Sequence, residues 1–90
     1  MRDRDRQPQA RPADEDALVE GAVLAFLVAE HPIRPTLAEL IRELTGGRDF
    51  AERDSVERAV RDLTAVGLVH RQDCFVWPTR AALRFARVRR

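Results

Sequence analysis

The chain has 90 residues, 44% hydrophobic and 34% charged, with a formal net charge of +1. That length makes one small domain, and a near-neutral total argues against nucleic-acid binding driven by bulk charge. Cys74, the only cysteine, excludes an internal disulfide and fits a reducing cytoplasm, and the N-terminus lacks the apolar run of a signal peptide.

Residues 1–13 are polar, alternate in charge and carry Pro8 and Pro12, so they read as a disordered tail before a domain at 14–90. A first helix is predicted over 14–30. Asp14, Glu15 and Asp16 favour the positive end of its dipole, and His31-Pro32 ends it. From Ala17 to Ala29 only Glu20 and Gly21 are not apolar, which is too short a stretch for a membrane span of about 20 residues. Leu18, Leu24, Phe26, Leu27 and Val28 fall in different quadrants, so one core-facing stripe does not cover them. The helix is therefore sandwiched, either within the domain, where Phe85 and Val88 of the last helix would fold back over it, or between two copies. Val23 and Leu27, opposite Leu18 and Ala25, are the expected homodimer contacts.

Residues 33–35 suit a short strand. Thr36 and Glu39 have capping-box spacing, and Leu37, Leu40, Ile41 and Leu44 form a buried stripe stopped by Gly46-Gly47. The third helix is expected over 55–66, capped by Asp54 or Ser55, with Val56, Ala59, Val60 and Leu63 inward. Asp49 with Glu52 is the other possible start, and Phe50 packs inward from an extra turn. Residues 68–71 and 74–77 then form a hairpin around a Gln72-Asp73 tip, longer or bulged because that pair does not favour a primed turn. Phe75 and Trp77 are expected to pack in the core. Thr79 caps a last helix reaching about residue 89.

Two segments carry the resemblance: Thr36-Leu37-Ala38-Glu39-Leu40-Ile41-Arg42-Glu43-Leu44 and Ser55-Val56-Glu57-Arg58-Ala59-Val60-Arg61-Asp62-Leu63. Gly67-Leu68-Val69 follows them. With the hairpin behind, the chain resembles a winged helix-turn-helix protein of the bacterial transcriptional-regulator type. The implied fold is α+β, mostly α: three helices, a two-stranded wing and a C-terminal helix. The resemblance also implies that the third helix enters the major groove of double-stranded DNA with the wing near a phosphate strand, so the expected function is a cytoplasmic, dimeric transcriptional regulator. The connection over 45–54 departs from the family pattern, being longer than the usual 3–4-residue turn.

The outward line of the third helix offers Ser55, Arg58 and Arg61 to the groove, since arginine pairs bidentately with guanine. The same arginines also fit a surface ladder, Asp54–Arg58–Asp62 beside Glu57–Arg61. Arg71 and Gln72 at the wing tip are candidate backbone contacts. Arg80, Arg84 and Arg87 share one face of the last helix, where they track phosphate, dock an acidic partner or are simply solvated. Charge is polarised along the chain: residues 14–57 hold four arginines against eleven acids, and residues 71–90 hold six arginines against Asp73. That polarity also suits a protein-interaction adaptor that binds no DNA. His70 and Cys74 fall short of a metal site and read as a surface imidazole beside a buried thiol. No phosphate loop, nucleophile elbow or carboxylate pair occurs, so the expectation is a non-enzyme with no cofactor and no small-molecule ligand.

Overall fold

The computed structural model describes residues 12–46 and 52–89, with 12–14 and 87–89 as backbone. The order is α1 (Pro12–Glu30), α2 (Leu37–Thr45), α3 (Arg53–Ala65), β1 (Val69–Gln72), β2 (Phe75–Pro78) and α4 (Arg80–Arg89). The fold is α+β and mostly helical, with one two-stranded antiparallel sheet. None of the described helices is long and apolar enough to cross a membrane.

α1 begins at Pro12, so the expected tail is shorter by two residues; the rest of it lies outside the described residues. Proline suits a first helical position because its missing N–H would have no intrahelical partner there. Val19, Val23 and Leu27 recur every fourth residue and form the buried face of α1. They meet Val56, Ala59, Val60 and Leu63 from α3 in the main core cluster. This corrects the expected dimer contacts, because Val23 and Leu27 are 0% exposed within the single chain. The two sides of α1 were separated properly, but the opposite one is left over. Three branched side chains in a row fill the space against α3, whereas Leu18, Gly21 and Ala25 on the other side would leave gaps.

The strand expected at 33–35 is reduced to a single bridge, Thr36 to Phe75. The Val76 N–H donates to the Pro35 carbonyl at 3.0 Å and the Leu37 N–H to the Cys74 carbonyl at 2.7 Å. Pro32 and Pro35 have no N–H, so a longer ladder lacks donors. Thr36 then starts α2 with the expected reciprocal cap: its Oγ1 accepts from the Glu39 N–H at 3.0 Å, and Glu39 Oε1 accepts from the Thr36 N–H at 2.9 Å. Leu40 and Ile41 are buried, with Leu37 and Leu44 half-buried beside them.

α3 starts earlier than expected. Glu52 occupies the cap position and makes no side-chain cap bond, which leaves Asp54 and Ser55 in the first turn. Asp49 and Phe50 lie outside the described residues. The far end of α3 is tightly closed. Gly67 adopts φ +85°, its N–H donates to the Thr64 carbonyl at 3.1 Å, and the Leu68 N–H donates to the Leu63 carbonyl at 2.9 Å. This pair of hydrogen bonds to orphan carbonyls is the usual glycine-ended helix cap.

The hairpin pairs Val69 with Pro78, His70 with Trp77, Arg71 with Val76 and Gln72 with Phe75. Its two-residue tip is Asp73-Cys74, one residue later than expected and without a bulge. Asp73 takes φ 57°, a left-handed conformation that aspartate tolerates better than glutamine does. Val69 and Val76 point into the core. Thr79 then caps α4, its Oγ1 accepting from the Ala82 N–H at 3.2 Å and donating to the Gly67 carbonyl at 2.8 Å.

Candidate functional site

Along α3, Ser55 is half-buried in the first turn, while Arg58 and Arg61 are exposed. The ion pairs differ from the expected ladder. Arg58 reaches across to Asp16 of α1 at 3.7 Å, Arg61 meets its neighbour Asp62 at 3.6 Å, and Glu57 pairs with Arg53 at 3.6 Å. Exposed pairs of this kind contribute little stability, but each places a carboxylate beside a cation that phosphate would need. Glu52 and Asp54 are exposed at the helix start as well. The N-terminal half of α3 is thus acidic or self-neutralised.

The outer face of the hairpin is different. Side chains alternate along a strand, so His70 and Gln72 share a face with Phe75 and Trp77, whereas Arg71 points to the opposite side. Arg71 and Gln72 are therefore not one cluster, though both are exposed near the tip. Phe75 and Trp77 do not pack in the core: Phe75 is 44% exposed, and Val76 between them takes the inward position. Trp77 is half-buried under its neighbours. The His70 ring lies 5.4 Å from the indole, tilted by 42°, and the Arg34 guanidinium sits 4.0 Å above the indole centroid. Cation–π contact explains why so large a ring is covered without entering the core. Cys74 is exposed at the tip, which corrects the expected buried thiol.

Arg34 carried no signal in the sequence. Its position follows from pairing: an antiparallel bridge from Thr36 to Phe75 sets Arg34 across from Trp77. Only the long-range register shows that, and two prolines around Arg34 hide it from any strand pattern. Arg34, Gln72, Asp73, Phe75 and Trp77 enclose a shallow hollow of about 270 Å³.

Arg80 and Arg84 are exposed one turn apart on α4; the Arg87 side chain lies outside the described residues. Arg80 occupies the first position of the helix, where a cation opposes the dipole. Among the described residues no acid pairs with Arg34, Arg71, Arg80 or Arg84. A separate hollow of about 350 Å³ lies where the C-terminal end of α1 meets α2, with Phe26, Ile33 and Pro35 edged by Glu30, Glu39, Glu43 and Arg42. Among the described residues no group of three His, Cys, Asp or Glu is placed to hold a metal ion.

No protein-family model matches the chain, and no curated protein or solved structure matches it either.

Proposed function

We propose that this chain is a winged helix that binds duplex DNA as a transcriptional regulator, docking through its wing and α4 rather than through α3. One observation carries the reading: the arginines of α3 lie beside carboxylates, whereas Arg34, Arg71, Arg80 and Arg84 are exposed without an acidic partner among the described residues. A phosphate strand running past the hairpin meets Arg34 and Arg71 against the single carboxylate of Asp73, and several carboxylates on α3. Phe75 and Trp77 add an amphipathic surface flanked by Arg34. Gln72 and His70 are the residues of that face with both donor and acceptor groups to offer a base edge. Chemistry plays no part in this reading; the protein acts by binding.

Titration of a random-sequence duplex across a salt series tests the proposal. Affinity falls with salt by a slope of about −0.9 for each phosphate neutralised, and joint replacement of Arg80, Arg84 and Arg87 by alanine flattens it by up to about 2.7. Arg58→Ala leaves sequence preference unchanged. A loss of preference with Arg58→Ala would restore docking through α3.

The second reading is a protein-interaction adaptor, favoured by a rim in which Glu30, Glu39 and Glu43 outnumber Arg42 around an apolar floor with Ile33 63% exposed. Such a surface suits a basic, partly apolar peptide. An absence of duplex binding at low salt assigns the protein to this reading.

A further inference from the structure

Phe75 is an aromatic ring left open in a polar setting. It is 44% exposed on the outer face of the hairpin, directly across from Gln72 and nearer the tip than Trp77. Behind it, His70, Trp77 and Arg34 form a row across the ribbon. The imidazole and the guanidinium of that row cover the indole, so Phe75 supplies the open ring of the hollow. The hollow itself, about 270 Å³ between Arg34, Gln72, Asp73, Phe75 and Trp77, lies just below the drug-sized range of about 300–1,000 Å³ and suits one flat ring system.

We infer that its occupant is a single unpaired nucleobase stacked on Phe75. Inside a duplex both faces of a base are covered by its neighbours, so only a base outside the stack turns a face to an aromatic side chain. The charges of the hollow fit such a ligand. Arg34 has no acidic partner among the described residues, and the indole beneath it holds the guanidinium in place for the phosphate of the same nucleotide. Asp73, at the tip, would repel that phosphate but accepts hydrogen bonds from an exocyclic amine, which cytosine carries and thymine lacks. A ligand cation fits less well, because Arg34 already fills the indole face. The inference rests on DNA binding by this chain and adds that the preferred site contains a bulged or extruded base.

Titration of the full chain with matched duplexes tests the inference: one continuous, one with a single bulged cytosine, and one with an abasic residue in place of that cytosine. Trp77 is the only tryptophan of the chain, so its emission reports on the hollow. The bulged cytosine binds roughly tenfold tighter than the abasic bulge, which carries the same phosphates, and quenches Trp77 more strongly. Phe75→Leu keeps apolar bulk without an aromatic face and brings that affinity ratio close to one, with unchanged far-ultraviolet circular dichroism because the ring lies outside the core. A bulged thymine binds several-fold more weakly than the cytosine. Failure to bind any of the duplexes at low salt overturns DNA binding and this inference with it. Binding with equal affinity for the cytosine and abasic bulges overturns this inference alone. An unaltered ratio in Phe75→Leu overturns Phe75 as the platform, and equal binding of thymine and cytosine overturns the part given to Asp73.

Discussion

Thr79 joins three elements through four hydrogen bonds. Its Oγ1 bonds to Gly67 and Ala82, its N–H donates to the Leu68 carbonyl at 3.0 Å, and its carbonyl accepts from the Leu83 N–H at 3.1 Å. Thr79→Val keeps the shape and removes both side-chain bonds, leaving the buried Ala82 N–H unsatisfied. Stability falls by about 1–3 kcal/mol, measured by urea denaturation. The capping role of Thr79 was legible, because a threonine before a run of helix formers is a local signal. Its bond to Gly67 was not, since the contact spans 12 residues and depends on how the hairpin folds back. Arg34 illustrates the same limit. Local chemistry identifies caps and turns; a side chain whose partner is set by cross-strand register has no local mark.

Helices with a polar side were readable and α1 was not. In α2 and α3 the apolar residues recur on one arc, so the buried set Leu40, Ile41, Val56, Ala59, Val60 and Leu63 follows from spacing alone. α1 is apolar on nearly every side, so its pattern has no phase, and packing volume decides which side turns inward. The consequence is measurable in variants one turn or less apart. Leu27→Ala empties a fully buried site and destabilises by about 2–5 kcal/mol. Ala25→Ser, on the exposed side, changes monomer stability by less than about 0.5 kcal/mol. Chemical denaturation compares the two. The hairpin tip shifted by one residue for a related reason: strand alternation fits either register, and the left-handed conformation at Asp73 settles it.

Over the whole molecule, the polarity of charge along the sequence becomes a polarity in space. Acids gather on α1, α2 and the start of α3, while among the described residues Arg71 of the hairpin and Arg80 and Arg84 of α4 have no acidic partner, as Arg42 of α2 has none. Function was less legible than fold because the arginine count alone does not distinguish Arg58 and Arg61, which lie beside carboxylates, from Arg80 and Arg84, which do not. The junction at Gly67, Leu68 and Thr79 also has a kinetic consequence. The end of α3, the start of β1 and the first turn of α4 share one hydrogen-bonded knot, so none of them opens without the others. In native-state hydrogen exchange the amides of Leu68 and Thr79 should therefore exchange only through global unfolding, at the same free energy as Val60 in the middle of α3. A Thr79 amide that exchanged through a cheaper local opening would show instead that α4 is a separable flap, released while the rest of the core stays closed.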